Sequence, residues 1–348
     1  MKKDIISEHD YYTEDDIQPI LNERKKIVLI TGINGQDGSY LAEFLIEKGY
    51  EVWGIVKRNS VAETQSTRIE KLRVNKLIKL EYADMTDMAS LVRVLLLCKP
   101  DEIYNLAAQS HVRVSFDQPI YTTSVVGLGI LNLLEAVRMV SPDSKIYQAS
   151  SSEMFGNNID EDGYQRETTP MSPVSPYGCA KVYGYNICRN YRNSYGMKIW
   201  NGILFNHESP RRGTNFVTNK VVKAAVRIKG GLQSELNLGN LEATRDWGHA
   251  KDYVEAMWLM LQSETPEDYV CSTGISHSVR DLCEYTFNKL GLDYKDYVKQ
   301  DIKFLRPEEL RDLKGDSSKI KNNLGWNPKY TFETMIDEMI EYWMNYYK

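Results

Sequence analysis

The chain has little cysteine and no excess of basic residues, and both deficits exclude classes of protein. Its five cysteines are scattered over 348 residues and never form a C-x-x-C pair. This favours free thiols in a reducing compartment over disulfides or a zinc site. With 43 basic and 48 acidic residues the net charge is −5, whereas a protein that binds nucleic acid non-specifically needs an excess of Lys and Arg to neutralise phosphates.

Long apolar runs and metal-ligand spacings are also missing. No apolar run approaches the roughly 18 residues that span a membrane, and the first ten residues, MKKDIISEHD, lack the apolar core of a secretory signal. The five histidines show no spacing typical of metal ligands. We therefore expect a cytoplasmic protein without a metal site and without a nucleic-acid or membrane partner.

Short apolar strands alternate with amphipathic helices from Ile27 to about residue 205, a pattern typical of a doubly wound parallel sheet of the α/β class. Residues 1–24 are polar, lack a sustained period and are predicted to be an N-terminal extension. Residues 25–205 would form the first domain, and residues 206–348 mainly a smaller second domain, with some segments returning to the first. The predicted strands are 27–30, 51–56, 102–108, 145–151 and 199–205, and the predicted helices are 39–50, 88–98, 125–140, one from Pro176, 249–262, 277–291 and 332–347.

A glycine turn follows the first predicted strand. It reads TGINGQDG, so that Gly32, Gly35 and Gly38 have the spacing G-x-x-G-x-x-G. Glycines at such a turn let the backbone approach a pyrophosphate, which then sits at the start of the following helix. A glycine triplet alone is a weak signal, but its position between a buried strand and a helix predicts a dinucleotide site.

The residues after the second predicted strand bear on which dinucleotide binds. An acidic residue there commonly binds the ribose 2′-hydroxyl of NAD, but this chain has Lys57 and Arg58, which suit a 2′-phosphate. NADP is therefore favoured over NAD, although two basic residues after a strand also suit a solvated turn. Asp84, after another strand, is equally consistent with an adenine contact and with an ordinary turn carboxylate.

A second pattern in the sequence is suited to proton transfer. Tyr177 and Lys181 form Y-x-x-x-K, which places both on one face of a helix. A neighbouring ammonium favours the phenolate, so that such a tyrosine can take a proton from a substrate alcohol while a hydride leaves the same carbon. Ser151, at the end of a predicted strand, can hydrogen-bond the same oxygen. Glu153 is interpreted as a base for the carbon next to the resulting ketone, or else as a surface carboxylate at a strand end.

Several longer motifs carry a specific resemblance. The segments TGINGQDGSYLAEFL, YNLAAQSHVRVSF, YQASSSE, SPYGCAK, NGILFNHESPRRG, NFVTNK and RDWGHAKDYVEAMW resemble GDP-mannose 4,6-dehydratases, members of the extended short-chain dehydrogenase/reductase family of nucleotide-sugar enzymes. The resemblance extends over about residues 26–345, and NHESPRRG and RDWGHAKDY are its most specific parts. It implies a Rossmann-type NADP-binding domain, a smaller substrate domain, a GDP-sugar substrate and a homodimer or homotetramer.

The resemblance also implies roles for individual positions. Ser151 and Tyr177 would hold the sugar's 4-hydroxyl, Lys181 would support Tyr177, and Glu153 would be the acid/base of the dehydration. The implied cofactor contacts are Gly32, Asn34, Gly35, Gln36, Asp37, Lys57, Arg58, Asn59, Ser60, Asp84, Met85, Leu106, Ala107, Ala108, Gln109, Ser110, Tyr121, Lys181, His207 and Arg212. The implied substrate contacts are Ser110, Ser151, Glu153, Tyr177, Asn206, Val217, Lys220, Arg245, Arg306 and Glu309.

The chain departs from the family pattern in three segments. The segments after Arg58 and between Gly291 and Arg306 are shorter, which bears on tetramer formation. TTPMSPVSPY differs from the usual sequence near the sugar pocket, and Met171, Ser172 and Val174 would there suit a larger or modified sugar. The expected reaction is the 4,6-dehydration of GDP-mannose. The alternatives are the same reaction on a GDP-manno-heptose or a GDP-amino sugar, a GDP-sugar epimerase or reductase, and a non-catalytic NADP-binding regulatory protein.

Overall fold

A parallel sheet of seven strands forms the centre of the computed structural model, which describes residues 25–58, 67–301, 303, 308, 310 and 312–348. The predicted extension of residues 1–24 lies outside the described residues. The strands are β1 (Ile27–Thr31), β2 (Glu51–Val56), β3 (Ile78–Tyr82), β4 (Glu102–Asn105), β5 (Lys145–Ser151), β6 (Ile199–Leu204), β7 (Asn206–Glu208), β8 (Leu236–Leu238), β9 (Thr244–His249), β10 (Asp268–Cys271), β11 (Ser276–Ser278) and β12 (Val298–Gln300). The central sheet has the order β10-β6-β5-β4-β1-β2-β3, which confirms the prediction of a doubly wound α/β fold.

Helices cover both faces of this sheet. The helices of the described residues are α1 (Gln36–Glu47), α2 (Thr67–Glu70), α3 (Met88–Cys98), α4 (Val112–Asp117), α5 (Pro119–Thr122), α6 (Gly129–Val140), α7 (Pro176–Tyr195), α8 (Val217–Lys229), α9 (Ala250–Gln262), α10 (Val279–Lys289), α11 (Ser318–Leu324) and α12 (Phe332–Tyr347). Helices α1 and α9 cover one face of the sheet, and α3, α6 and α7 cover the other. Val28 and Ile30 of β1 pack in one core with α1 and α9, whereas Leu29 packs in another with α3, α6 and α7. Residues 27–30 of β1 are all apolar because alternate residues enter different cores.

A separate apolar core lies among α8, α10 and α12 and includes Trp247 of β9. Two small sheets accompany it: β7 pairs with β9 and β9 with β11, while β8 pairs with β12. Two segments that follow residue 205 nevertheless belong to the central layers, because β10 pairs with β6 and α9 packs against α1. The division into residues 25–205 and 206–348 itself stays a prediction.

Some element boundaries differ from the sequence-based prediction. The strand predicted over 102–108 ends at Asn105. Beyond it the amide of Leu106 donates to both the carbonyl oxygen and the hydroxyl of Thr31, at 3.3 and 3.1 Å, and the amide of Ala107 donates to the same hydroxyl at 3.1 Å. The helix predicted over 125–140 begins earlier: a π-helical turn, Thr123–Leu128, joins α5 to α6. By length and composition the stretch Pro119–Val140 is apolar enough to cross a membrane, and half of its most apolar window is buried in the fold, where the stretch packs against α3 and α7.

Candidate active site

A cavity of about 540 Å³ opens where the carboxyl ends of β1, β4, β5 and β6 meet. The turn after β1 and the first turns of α7 and α8 complete its walls. Open parallel sheets bind their ligands at this edge, because adjacent loops diverge there and leave a crevice. The predicted site residues that line it are Gly32, Gly35, Gln36, Asp37, Leu106, Ala108, Ser110, Ser151, Glu153, Tyr177, Lys181, Asn206, His207, Arg212, Val217, Lys220 and Arg245.

The turn after β1 is packed so closely that it requires glycine. Gly32 has a φ of +68°, and a Cβ there would lie 2.9 Å from the amide nitrogen of Ala107. A Cβ on Gly38 would lie 2.5 Å from the carbonyl oxygen of Gly32. Helix α1 begins directly behind, with Gly35 at its N-cap and no side chain capping its first amides. The turn therefore fits the pyrophosphate of a dinucleotide.

Ser151 and Tyr177 are hydrogen-bonded to each other in the wall of the cavity. Ser151 ends β5, and Tyr177 lies in the first turn of α7. Burial raises the pKa of the Tyr177 phenol well above its usual value, and the hydrogen bond to Ser151 opposes this shift. The phenol therefore keeps its proton at neutral pH unless a positive charge stabilises the phenolate.

Lys181 supplies a positive charge one helical turn after Tyr177. Its Nζ lies 5.6 Å from the centre of the Tyr177 ring and donates a 2.7 Å hydrogen bond to the carbonyl oxygen of Ala149. Burial lowers the pKa of Lys181 to about 8, and the charge of Asp37 opposes this shift. The ammonium is thus charged at neutral pH and loses its charge in mildly alkaline solution.

Glu153 lies in a single 3₁₀ turn, Ser152–Met154, that directly continues β5. Its amide donates a 3.2 Å hydrogen bond to Oγ of Ser151, and the residue is only 8% exposed. Helix α7 approaches this turn at Gly178, where a Cβ would lie 2.9 Å from the carbonyl oxygen of Glu153. The close approach places a carboxylate, a phenol and an ammonium in one wall of the cavity.

Three predicted residues, Gln36, Asp37 and His207, form a network at the start of α1. Nε2 of His207 lies 2.9 Å from Oδ2 of Asp37, and its Nδ1 lies 2.7 Å from the carbonyl oxygen of Phe205. The amide of Gln36 donates to Oδ1 of Asp37 and to the carbonyl oxygen of His207, both at 3.0 Å. Arg212 forms a 3.1 Å ion pair with Glu208 beside this network.

Other predicted cofactor residues meet at the ends of β2 and β3, outside the cavity lining. Nζ of Lys57 lies 3.1 Å from Oδ2 of Asp84 and 3.4 Å from the hydroxyl oxygen of Tyr121. Arg58 is exposed, and its guanidinium lies 5.2 Å from the centre of the Tyr82 ring. The two residues that directly follow β2 are therefore both basic, and one of them is paired with the carboxylate that follows β3.

The remaining cofactor predictions fall behind the lining or outside the described residues. Asn34 accepts a 3.3 Å hydrogen bond from the amide of Arg68, and Met85 is buried. Ala107 packs against Gly32, and Gln109 donates to the hydroxyl of Thr122 at 3.1 Å. These four support the cavity wall without lining it. The predicted residues outside the described part of the chain are Asn59, Ser60, Arg306 and Glu309.

The end of the cavity at the start of α8 carries two cations, of which Lys220 is partly buried and Arg245 is buried. Lys220 donates a 2.6 Å hydrogen bond to the carbonyl oxygen of Asn237, and burial lowers the pKa of Lys220. Arg245, 7% exposed, donates to the carbonyl oxygen of Leu310 at 3.2 Å. Helix α8 begins at Val217, again without a side-chain cap. Fixed cations beside a helix N-terminus fit a diphosphate, so this end suits the nucleotide of a GDP-sugar.

The sequence reasoning missed several residues of the lining. His111 caps α4, lies with its ring 5.2 Å from that of Phe216 at a tilt of 55°, and lines the cavity, as does Arg113 two residues later. Glu208, 2% exposed, holds Arg212 and is also part of the wall. All three residues lie in the motifs YNLAAQSHVRVSF and NHESPRRG, which carry the resemblance, but the sequence did not indicate what each of them does. Among the described residues, no group of three His, Cys, Asp or Glu side chains is placed to hold a metal.

Comparisons with known proteins agree with this geometry. Residues 29–339 match the GDP-mannose 4,6 dehydratase family. GDP-mannose 4,6 dehydratase 1 of Arabidopsis thaliana is 54% identical over 91% of this chain and 89% of its own, and the human GDP-mannose 4,6 dehydratase is 48% identical over 92% of each. A solved Thermus thermophilus UDP-glucose 4-epimerase in complex with NAD is 27% identical with a TM-score of 0.79, covering 91% of this chain and 98% of that one. The chain belongs to the GDP-mannose 4,6 dehydratase family.

Proposed function

We propose that this protein removes water from GDP-mannose to give GDP-4-keto-6-deoxy-mannose. The observation that carries the proposal is the position of Glu153, buried in the same cavity wall as the hydrogen-bonded pair Ser151 and Tyr177. When a bound nicotinamide takes the hydride, the phenol and its ammonium neighbour suffice for the proton of an alcohol oxidation, whereas eliminating water next to the resulting ketone needs a further acid/base. A buried carboxylate at that place supplies it.

The first step is the removal of the 4-hydroxyl proton by Tyr177. Ser151 hydrogen-bonds the same oxygen and fixes its position, and the charge of Lys181 stabilises the phenolate that takes the proton. A bound nicotinamide supplies the redox chemistry, since it accepts the hydride from C4 and returns it to C6. The glycine turn and the start of α1 would hold its pyrophosphate, and Lys181 would reach its ribose.

The second step is the loss of water across C5 and C6. The 4-ketone acidifies the C5 proton, which Glu153 removes and passes to the 6-hydroxyl as that group departs. Glu153 then takes up a solvent proton and delivers it to C5, and Tyr177 releases the proton that it took from the 4-hydroxyl, so that the protons balance and there is no net oxidation. Burial of Glu153 keeps bulk water away from the reacting carbon atoms and strengthens the electrostatic contacts within the site.

NADP is the cofactor that the strand ends favour. The ribose 2′-position of a dinucleotide lies near the end of the second strand in folds of this kind. Lys57 and Arg58 stand there, and the carboxylate nearest to them in the described structure, Asp84, is paired with Lys57. A dianionic 2′-phosphate suits this positive environment better than a ribose hydroxyl does.

Mannose is the sugar favoured among the alternatives. Met171 and Val174 pack against the apolar cluster that contains Met154 and Phe155, and neither residue, nor Ser172, lines the cavity. None of these three side chains therefore lines the cavity, and the expectation of a larger or modified sugar stays a prediction. The GDP-mannose 4,6 dehydratases of similar sequence favour mannose over a heptose or an amino sugar.

The test is product analysis with labelled substrate and solvent. Purified protein and GDP-mannose, without added reductant, should give a product lighter by one water. GDP-mannose deuterated at C4 should carry that deuterium to C6, and a reaction in D₂O should place one solvent deuterium at C5. An epimerase would leave the mass unchanged, a reductase would consume NADPH in proportion to product, and a regulatory protein would give no product; each result would overturn the proposal.

A further inference from the structure

Both ring nitrogens of His207 face hydrogen-bond acceptors. Nδ1 lies 2.7 Å from the carbonyl oxygen of Phe205, which can only accept, so this nitrogen carries a hydrogen. Nε2 lies 2.9 Å from Oδ2 of Asp37, and a hydrogen must lie between these atoms as well. The Asp37–His207 pair therefore binds one proton more than a neutral imidazole beside a carboxylate, and its net charge is zero rather than −1.

The surroundings place that proton on the imidazole. Oδ1 of Asp37 accepts from Nε2 of Gln36 at 3.0 Å, and the Gln36 amide is held in this orientation because its Oε1 accepts from the hydroxyl of Ser209 at 2.7 Å. Asp37 also lies in the first turn of α1, where the helix dipole stabilises negative charge. An oriented donor and a helix N-terminus both favour the carboxylate over the acid, so His207 is an imidazolium.

The charges around the pair agree with this assignment. Burial lowers the pKa of His207, but the charge and hydrogen bond of Asp37 outweigh it and leave the pKa above its usual value. Burial likewise raises the pKa of Asp37, and His207 outweighs it and leaves that pKa below its usual value. Arg212 opposes the imidazolium, Glu208 stands next to Arg212, and Lys181 also interacts with Asp37. The ring of Tyr253 stacks on His207 at 4.5 Å.

We infer that Asp37 keeps His207 permanently protonated at neutral pH, and that this proton is required for tight binding of the dinucleotide. The inference rests on the proposed function, which places a pyrophosphate at the glycine turn beside the pair. When the proton is lost, the carboxylate of Asp37 is left unneutralised beside that pyrophosphate, and like charges in a buried site repel strongly. Asp37 is thus a positioning residue that acts through the charge of His207.

The protonation state can be measured without any ligand. Long-range ¹H–¹⁵N spectra of protein labelled in its five histidines distinguish imidazolium from either neutral tautomer, and His207→Gln assigns the signal. We expect both nitrogens of His207 to be protonated at pH 7 and to remain so into alkaline solution. A neutral tautomer at pH 7 would overturn the inference. Absence of dehydratase activity would not affect this measurement, so the two failures are distinguishable.

Binding measurements test the consequence for the dinucleotide. Titrations of NADP⁺ by protein fluorescence between pH 6 and pH 10 are made in a Lys181→Arg background, because Lys181 itself loses its charge within this range. In that background the affinity should fall up to about tenfold per pH unit through one transition, as expected for one linked proton. In Asp37→Asn the transition should move down by about one pH unit or more, because the opposing charge is gone, and in His207→Gln it should be absent. The control is His277→Gln, which should keep the wild-type transition. The imidazole of His277 is half-buried, stacks on Phe332 and does not line the cavity. A transition that persists in His207→Gln would overturn the inference.

Discussion

The ammonium group of Lys181 donates a 2.7 Å hydrogen bond to the carbonyl oxygen of Ala149. The bond joins the helix that carries Tyr177 to the strand that ends at Ser151, so it fixes the ammonium relative to the Ser151–Tyr177 pair. It also leaves the ammonium buried, with a pKa lowered by that burial to about 8. The hydrogen bond therefore fixes the ammonium beside Tyr177, and the burial that comes with this position sets the pH above which the ammonium loses its charge.

The pH dependence of the rate should reflect the charge of Lys181. As the pH rises through about 8, the ammonium loses its proton, and the Tyr177 phenolate loses its stabilising charge. We expect kcat/KM to fall above that pH. Lys181→Arg stays charged and should shift the alkaline limb to higher pH, while Lys181→Ala should lose about 10²-fold or more at all pH values. An alkaline limb that does not move in Lys181→Arg would assign it to another group.

Lys181 should also cost the protein stability at neutral pH. Its pKa is lower in the folded chain than the usual 10.5, so between about pH 8 and 10.5 the unfolded chain binds more protons and stability rises with pH. Below that window the cost of burying the charge is fully present. Lys181→Met should therefore raise the free energy of unfolding at pH 7 by about 2 kcal/mol and lose this advantage at pH 10.5. Denaturant titrations of the wild type and of Lys181→Met at pH 7 and pH 10.5 would measure this change. The same difference in unfolding free energy at both pH values would contradict the prediction.

Glu153→Gln should stop the loss of water and spare the first oxidation. An amide cannot remove the C5 proton, so turnover should fall by about 10²-fold or more, while binding of NADP⁺ and GDP stays within a factor of two or so. Because Ser151, Tyr177 and Lys181 are intact, the nicotinamide absorbance band should grow on adding GDP-mannose. Glu161→Gln, at an exposed carboxylate eight positions later, is the control and should behave as wild type. Normal product formation by Glu153→Gln would exclude the role given to Glu153.

Arg58→Ala should weaken NADP⁺ binding selectively. Arg58 follows β2 and is exposed beside Tyr82, so its loss removes a cation near the predicted 2′-phosphate without disturbing a buried contact. We expect the Kd for NADP⁺ to rise about tenfold or more, as for a charge-assisted contact to phosphate, and the Kd for NAD⁺ to stay unchanged. Lys79→Ala, which removes another exposed cation of the same sheet, should change neither. Equal weakening of both dinucleotides would show that Arg58 does not read the 2′-position.

The sequence predicted those parts of the site that lie close together along the chain. The glycine turn, the Ser151–Glu153 strand end and the Tyr177–Lys181 helix face each depend on local spacing, and the strand periodicity then placed them at one sheet edge. Strand β4 ends earlier than predicted, at the place where the hydroxyl of Thr31 accepts the amides of Leu106 and Ala107 from a distant part of the chain. Such a bond joins residues that are far apart in sequence, and periodicity has no information about it.

The partners of the functional groups were likewise beyond sequence reasoning. His207 and Asp37 are 170 positions apart, and their pairing follows from the packing of β7 against the start of α1. Met171 and Val174 were placed near the sugar from the resemblance of the TTPMSPVSPY segment to the family, but both pack against the cluster of Met154 and Phe155 and neither lines the cavity. The sequence predicted which chemistry a residue type can perform, but not which other side chains surround that residue in the folded chain.

Asn219 should control the position of Arg212 in the cavity wall. Its Oδ1 accepts from the indole nitrogen of Trp343 in α12, and its Nδ2 donates to the carbonyl oxygen of Arg212, both at 2.5 Å. The residue is fully buried, so neither bond is replaced by water. In Asn219→Asp the indole keeps its acceptor, but a carboxylate cannot donate to the Arg212 carbonyl oxygen and repels it.

The loss in Asn219→Asp should therefore depend on pH in a way that simple destabilisation would not. At pH 8 the new carboxylate is charged, and we expect kcat/KM for GDP-mannose to fall about tenfold, the cost of one unpaired buried acceptor. Toward pH 5.5 the buried carboxyl takes up a proton, because burial raises the pKa of such a group, and its O–H restores the donor to Arg212. Part of the activity relative to wild type should return. Asn186→Asp, at an exposed amide of α7 that donates to the carbonyl oxygen of Val182, is the matched control and should match wild type at both pH values. A loss in Asn219→Asp that is the same at pH 5.5 and pH 8 would mean that Asn219 only stabilises the fold, because a missing donor is the one defect that protonation can repair.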